Sequence, residues 1–449
     1  MTLWFQSALL PQGWTDGVRV VVAEGAISRI QTNAAPADGD ERHTIAIPGL
    51  GNVHSHAFQR GMAGLAEIRG PANDNFWTWR EVMYRFLDRL TPEDIEAIAA
   101  QAYVEMLERG FTRVGEFHYL HHDPAGAPYD NIAELAERIA AATRETGIGL
   151  TLLPVFYAHS NFGGASPIPG QRRFLNDIDQ FAELLEASAK AIGRLDNAKL
   201  GVAPHSLRAV TPNELSRVIS LVPRGPIHIH AAEQTKEVDD CVAWSGARPV
   251  EWLLDNASVD GRWCLVHATH LTSVETRRLA QSGAVAGLCP ITEANLGDGV
   301  FPADAYLACS GSFGIGTDSN IQIDPAAELR ALEYAQRLTH RARNVLASAP
   351  GRSTGRDLFD GALAGAAKAL GTHPAGICEG ASADMLSLDL NDATLVGRKG
   401  DTLLDSWIFA GGRVDCVWRE GRKWVAGGCH VRREPVRERY VRAMMRLLA

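Results

Sequence analysis

Four short stretches of the 449-residue sequence concentrate side chains suited to holding a metal ion and moving protons. The first is Pro48-Gly49-Leu50-Gly51-Asn52-Val53-His54-Ser55-His56. Side chains two apart in a strand point the same way, so His54 and His56 can face one interior together. Two converging imidazoles make half of a Zn²⁺ site. The plainer alternative is a pair of core histidines, which their position at a strand end after Pro-Gly disfavours. The second stretch, Ile227-His228-Ile229-His230-Ala231-Ala232-Glu233, offers His230 as a third ligand. Glu233, three residues on, is a carboxylate free to carry protons between attacking water and a leaving nitrogen. His228 lies deeper along the strand, with a structural role as the alternative to a site role. The third stretch, Val266-His267-Ala268-Thr269-His270, turns His267 inward to polarise a substrate or orient water and leaves His270 farther out. The fourth, Gly314-Ile315-Gly316-Thr317-Asp318-Ser319-Asn320, supplies Asp318 to complete the coordination and accept a proton. Asp318 alone would serve as a helix cap, but Asp324 before Pro325 already fills that role. Zinc lowers the pKa of bound water to about 7, so the expected chemistry is hydrolysis at neutral pH.

Such residues need a scaffold that gathers strand ends. Apolar strand-like runs alternate with helical segments, the βα pattern of a parallel sheet. Eight are predicted: Ile45–His56, Phe111–Leu120, Ile148–Tyr157, Lys199–Leu207, Pro226–Glu233, Trp263–His270, Val285–Leu296 and Phe313–Asn320. Capping signals open several helices, at Thr91-Pro92-Glu93-Asp94, Thr211-Pro212-Asn213-Glu214 and Thr272-Ser273-Val274-Glu275. Eight units fit a closed (β/α)₈ TIM barrel better than an open sheet, with the site at the strand C-termini. The longest inserts follow the first and third strands, where barrel enzymes place substrate contacts. Short strand-like runs at both chain ends, such as Arg19–Val22, Ala26–Ile30, Asp384–Leu390 and Val414–Trp418, are each too small for a core of their own. A small β-sandwich built from both termini is therefore expected. The predicted division is 1–46 for its N-terminal part, 47–375 for the barrel, and 376–449 for its C-terminal part and a terminal helix.

The net charge is −9, from 44 basic and 53 acidic residues, and no Lys/Arg-rich run occurs. That argues against nucleic acid or an anionic membrane as partner. The seven cysteines, Cys241, Cys264, Cys289, Cys309, Cys378, Cys416 and Cys429, contain no C-x-x-C pair and suit a reducing compartment. The N-terminus lacks a signal-peptide pattern, and no run is long and apolar enough to span a bilayer. A cytoplasmic location is expected.

Taken together, His54-x-His56, His230 with Glu233, His267 and Asp318 resemble the mononuclear deaminase branch of the amidohydrolase superfamily, over the whole chain. The resemblance implies one Zn²⁺ held by His54, His56, His230 and Asp318. It implies attack by zinc-activated hydroxide on an sp² carbon bearing nitrogen, with Glu233, His267 and Asp318 catalytic and ammonia leaving. Two-metal barrels of this type use a modified lysine near the end of strand four. The lysine here, Lys199, stands at the start of that strand, so one metal is expected.

Four further segments, Gly51–Gly61, Phe76–Arg80, Gly115–His122 and Ala203–Arg208, are similar to the formimidoylglutamate deiminases. These enzymes of histidine degradation convert N-formimino-L-glutamate and water to N-formyl-L-glutamate and ammonia. The implied substrate is a small dicarboxylate, which bidentate guanidinium groups suit in an acidic protein. Arg208 and Arg80 are the candidates, with Gln59, Tyr119 and His205 as further contacts. Arg80 could instead stack on Trp77 and Trp79 at the surface, and Tyr119 could be aromatic core. No role is assigned to His118, His121 or His122. Cys289-Pro290-Ile291-Thr292-Glu293-Ala294-Asn295-Leu296 departs from the Cys-Pro-x-Ser-Asn-like stretch of related deaminases and is expected to shape the pocket, with Cys289 in the core. The family resemblance also implies a homodimer. The alternatives are a deaminase for guanine, an adenosine derivative or a triazine, and a non-catalytic barrel scaffold, whose relatives lose the metal ligands retained here.

Overall fold

In the computed structural model, which describes residues 1–71, 74–372 and 376–449, the eight βα units close into a barrel. Its strands are β1 (Leu50–Ser55), β2 (Phe111–His118), β3 (Gly149–Phe156), β4 (Lys199–Leu200 and Ala203–Pro204), β5 (Ile227–Ala231), β6 (Trp263–His267), β7 (Val285–Leu288) and β8 (Ser312–Ile315). They form two parallel runs, β1 to β4 and β5 to β8. Bridges Val202↔Ile227 and Ser206↔His230 join β4 to β5, and Ser55↔Asp318 joins the end of β8 to β1. That last closure sets Asp318 beside the His54–His56 pair.

Two predicted runs prove to be composite. Ile45–His56 divides at Gly49: Glu41–Pro48 belongs to a separate terminal sheet and Leu50–Ser55 to the barrel. A Cβ on Gly49 would lie 2.3 Å from Thr112 Cγ2, so only glycine lets the chain cross between the two sheets there. Val285–Leu296 stops as a strand at Leu288, and Pro290 starts the helix Pro290–Leu296. Proline has no N–H to extend a strand ladder but suits the first turn of a helix. The Thr91, Thr211 and Thr272 caps form reciprocal boxes with Asp94, Glu214 and Glu275. Asp324 accepts the Ala327 amide at 3.0 Å, so it is indeed a cap.

The termini combine into one eight-stranded sheet. Its order runs Cys429–His430, Arg422–Ala426, Val414–Arg419, Met385–Leu388, Glu41–Pro48, Thr2–Leu10, Gly13–Ala23 and Ala26–Gln31. Glu41–Pro48 is the seam, pairing in parallel with Thr2–Leu10 and antiparallel with Met385–Leu388. The boundary expected at 46/47 falls inside this seam strand, and the one at 375 falls on residues 373–375, outside the described residues. Strands three places apart in a flat sheet are about 14 Å apart. Yet Phe5 and Trp418, so separated, meet edge-on at 6.0 Å. An antiparallel bridge Ala26↔Ser382 closes the far side. The sandwich is thus a single sheet curled over its own core of Leu3, Phe5, Val18, Val20, Met385 and Trp418. Helices Asp401–Ala410 and Arg433–Leu448 return to the barrel, where Trp407, Val436 and Leu447 join its core.

The helix Thr354–Ala369 docks on the barrel through Gly365, whose Cβ would sit 1.7 Å from the carbonyl oxygen of Phe313 on β8. Gly365→Ala is expected to cost about 3 kcal/mol by forcing helix and strand apart. Urea denaturation measures this, and a wild-type midpoint would contradict the close docking.

Candidate active site

At the C-terminal end of the barrel three imidazoles and one carboxylate converge. His54 Nε2 and His230 Nε2 are 3.0 Å apart, and Asp318 Oδ1 lies 3.3 Å from His54 Nε2 and 3.2 Å from His56 Nε2. All four ligand atoms fall within 4.8 Å of one another, and all four residues are buried. Two ligand atoms on metal arms of 2.0–2.1 Å lie about 2.9–3.4 Å apart at bond angles of about 90–110°, so the three shortest spacings suit a divalent cation such as Zn²⁺. On two of these rings the other nitrogen is already committed, while His54 Nδ1 is buried without a partner. His56 Nδ1 donates to the Phe117 carbonyl at 2.9 Å, and His230 Nδ1 to the His205 carbonyl at 3.1 Å. Each bond leaves Nε2 as the lone-pair atom, the tautomer a metal needs. Burial, opposed only in part by the Asp318 hydrogen bond, lowers His54 to about 3. Burial and neighbouring histidines hold His230 well below its usual value. Burial alone would push Asp318 up, but its bonds to His54 and His56 prevail and hold it well below the carboxylate range. His54 and His230 are therefore neutral imidazoles and Asp318 an ionised carboxylate.

The strand ends that carry these groups are strained. Ala232, His267, Ala268, Asp318 and Asn320 have φ of 52°, 66°, 48°, 43° and 55°. Non-glycine residues in this region cost of the order of 1–3 kcal/mol each and persist only where surrounding bonds over-determine them. Around Asp318 the clamp is Asn320, whose amide donates to Ser55 Oγ and the His56 carbonyl, both at 3.1 Å. Thr317 Oγ1 donates to Asn320 Oδ1 at 2.6 Å and accepts from Asn52 Nδ2 at 2.7 Å. Around Ala232, the amides of Ala232 and Glu233 donate to the Glu237 carboxylate at 3.2 and 3.1 Å. Asn320→Ala is expected to weaken metal binding about 10–100-fold. Competition against a chromogenic chelator reads this, and unchanged affinity would remove the clamp from the account.

Glu233 and His267 stand beside the ligands without belonging to them. His267 Nε2 lies 3.9 Å from Glu233 Oε1 and 4.0 Å from Asp318 Oδ2, and Nδ1 lies 3.2 Å from Glu293 Oε1. Burial raises the Glu233 carboxyl to about 7, against the pull of His267 and Arg208. Burial disfavours a charged His267, but the carboxylates of Glu233, Glu293 and Asp318 outweigh it and move the ring upward.

One cleft lies above this centre, and Gln59, Arg80, Tyr119, His205 and Arg208 all line it together with His56, His230, Glu233, His267 and Asp318. Gln59 Nε2 donates to the Tyr119 hydroxyl at 2.7 Å, and the His205 ring centre is 4.8 Å from that of His230. Arg208 is 3% exposed, and its Nε is buried without a hydrogen-bond partner. Among the described residues no carboxylate forms an ion pair with Arg208 or Arg80. Instead the Arg80 guanidinium lies 4.5 Å from the Trp77 ring centre and that of Arg208 lies 5.7 Å from it. The Arg80 guanidinium thus stacks on Trp77, as in the stacking alternative, and also lines the cleft. Tyr84, Tyr157 and Phe174, which the sequence reading passed over, also line it. Their signal was only aromatic content in the long inserts after β1 and β3.

Other histidines of these segments turn elsewhere. His121 bonds the Val155 carbonyl, His122 the Leu175 carbonyl and His228 the Ala369 carbonyl, at 2.9, 2.7 and 2.8 Å. Neither His118 nor His270 lines the cleft. Lys199 opens β4, far from the ligands. A second grouping, His43, Asp415 and Cys416, sits on the terminal sheet. Its donors are satisfied internally: His43 bonds Glu41 at 2.6 Å, and Cys416 Sγ and Ser387 Oγ donate to Asp415 at 3.3 and 3.2 Å.

A barrel with this buried His₃Asp centre defines a class, and the chain belongs to the amidohydrolase family, whose model matches residues 45–423. Residues 3–44 match the N-terminal domain of the formimidoylglutamate deiminase HutF. Formimidoylglutamate deiminase of Pseudomonas aeruginosa is 51% identical over 99% of this chain and 99% of its own length. The 8-oxoguanine deaminase of the same species is 27% identical over 92% of this chain and 89% of its own. A crystal structure of an amidohydrolase from Brucella melitensis superposes with a TM-score of 0.98 at 56% identity, covering 100% of both chains. A zinc-bound adenosine deaminase from Xanthomonas campestris shares the fold, with a TM-score of 0.82 at 22% identity over 100% of this chain and 98% of that one.

Proposed function

We propose that this chain hydrolyses N-formimino-L-glutamate to N-formyl-L-glutamate and ammonia, a step of histidine degradation, with one Zn²⁺ held by His54, His56, His230 and Asp318. The observation that carries the substrate is Arg208, a buried guanidinium with no carboxylate of the described residues within ion-pair distance, facing the same cleft as the ligand cluster. A buried cation left unpaired is costly, and a bound carboxylate supplies the missing charge. Arg80 offers the second guanidinium for a dicarboxylate. Identity of 51% to a formimidoylglutamate deiminase supports the same reading.

Zinc at this site supplies a Lewis acid that makes water nucleophilic at neutral pH. The protein's own groups do the rest. Arg208 and Arg80 bind the carboxylates and fix the formimino carbon over the ligand cluster, with Gln59, Tyr119 and His205 along the walls. Glu233 takes a proton from the attacking water and delivers it to the terminal nitrogen. A C–O bond forms, the C–N bond to that nitrogen breaks, and the nitrogen leaves as ammonia. His267 Nε2 and Asp318 Oδ2 flank the path of the second proton. Cys241, Cys264, Cys289, Cys309, Cys416 and Cys429 form no disulfide, which supports a cytoplasmic setting.

Ammonia release from N-formimino-L-glutamate, with guanine and an adenosine derivative as comparison substrates, tests the proposal. Turnover of the first alone is expected. Turnover of a purine alone would retain the fold and the metal site but overturn the roles given to the arginines.

A further inference from the structure

Behind His267 stands a carboxylate that no step above uses. Glu293 is buried and is the fourth residue of the helix Pro290–Leu296. Its Oε1 accepts the Cys289 amide at 2.9 Å, so the side chain folds back onto the start of its own helix and is held there by backbone. The same oxygen lies 3.2 Å from His267 Nδ1. A carboxylate oxygen only accepts, so the ring donates Nδ1–H to it.

The ring needs such a partner. With φ at 66°, His267 leaves β6 in a turn that does not fix its side chain as regular strand geometry would. Its ring stacks on His230 at 5.5 Å and 12°. Stacking fixes the plane but not which edge points at the cleft, because a half-turn about Cβ–Cγ preserves the stack. A hydrogen bond from one ring nitrogen decides where the other points and which tautomer it carries. Bonded to Glu293, the ring holds Nε2 nearly equidistant from Glu233 Oε1 at 3.9 Å and Asp318 Oδ2 at 4.0 Å.

We infer that Glu293 is the positioning residue of His267, fixing its ring so that Nε2 sits between the two proton-handling carboxylates. For its kinetic consequences this rests on the deiminase reading; for the orientation itself it does not. The competing role is that of a helix cap, exercised through the Cys289 amide alone.

The test uses the full-length, zinc-loaded protein labelled with ¹⁵N-histidine. In the wild type, His267 Nδ1 is expected to be protonated, with a slowly exchanging imino proton. That signal disappears in Glu293→Ala and survives in Glu293→Gln, whose amide oxygen accepts the same bond. In parallel, Glu293→Ala lowers kcat about 100-fold with KM within threefold and zinc content unchanged, and Glu293→Gln recovers at least a tenfold part of the loss. An unprotonated Nδ1 in the wild type, an imino proton that survives in Glu293→Ala, or a folded Glu293→Ala with wild-type kcat would each overturn the inference. If Glu293→Ala does not fold, the wild-type spectrum and Glu293→Gln still decide. Wild-type protein inactive on N-formimino-L-glutamate would defeat the substrate reading, while the spectrum alone would still judge the orientation.

Discussion

Replacing Glu233 by glutamine is expected to lower kcat for ammonia release by about 10³-fold while zinc content stays at its wild-type level. The amide matches the carboxylate in shape and can still accept hydrogen bonds, but it cannot carry a proton from water to nitrogen. Glu233 lines the cleft, and its Oε1 lies 3.9 Å from His267 Nε2. It is not one of the converging ligand atoms. Of the carboxylates lining that cleft the other is Asp318, which is committed to the ligand cluster.

The pH dependence follows from the raised carboxyl. Burial moves Glu233 from 4.5 to about 7. As the ionised form is the base, kcat/KM falls as pH drops through that value. A dication held by the four ligands pulls the carboxyl downward, so the acid limb of the loaded enzyme is expected at or below pH 7. Stability has the opposite sign. Between pH 4.5 and about 7 the folded state binds the proton that the unfolded chain has lost, so stability falls as pH rises across that window. Glutamine cannot ionise, so the apo variant should melt at or above the apo wild type at pH 8. A variant that retains turnover, or that melts far below the wild type, would remove Glu233 from its role.

The sequence made the ligands legible because each sits in a short run with a simple rule behind it. His54 and His56 share a face through the two-residue period of a strand, and Asp318 stood out once Asp324 accounted for the cap. What holds these groups was not legible, because it depends on contacts between distant segments. Asn320 clamps Asp318 by reaching Ser55 and His56 across the barrel closure. Glu293 lies 3.2 Å from His267, although 26 residues separate them. Nothing in local periodicity marks either. The Ile45–His56 run read as one strand because apolar residues continue through it, whereas the sheet change at Gly49 depends on Thr112, a residue of the next strand. The curl of the terminal sheet was equally hidden, since alternation gives a strand its faces but not the bend that brings Phe5 to Trp418.

Arg208→Met should separate binding from stability more sharply than any other single change. Arg208 is 3% exposed and has no ion-pair partner among the described residues, so only the carboxylates of Glu237 and Glu233, beyond ion-pair distance, offset the cost of burying its charge. Its guanidinium lies 5.7 Å from the Trp77 ring centre, a contact that softens the cost without neutralising the charge. Losing one partner of a buried ion pair costs about 3–5 kcal/mol, or about 10²–10⁴-fold in binding. On the proposed function the bound-state pair is Arg208 with a substrate carboxylate, and kcat/KM should then fall by this factor, chiefly through KM. In the free protein no direct pair exists, and methionine fills similar volume while removing both the burial cost and the attraction of Glu237 and Glu233, so the apo melting temperature should change little. Arg208→Lys should not rescue binding, because an ammonium cannot reproduce a bidentate fork. Arg80→Met should cost less, since that half-buried guanidinium is more screened by solvent. Thermal shift with and without N-formyl-L-glutamate reads both halves: the product should stabilise the wild type strongly and Arg208→Met hardly at all. A KM within threefold of wild type would place the carboxylate elsewhere. A fall in apo stability would make Arg208 a structural residue, and the charge it lacks would then have to be sought inside the protein.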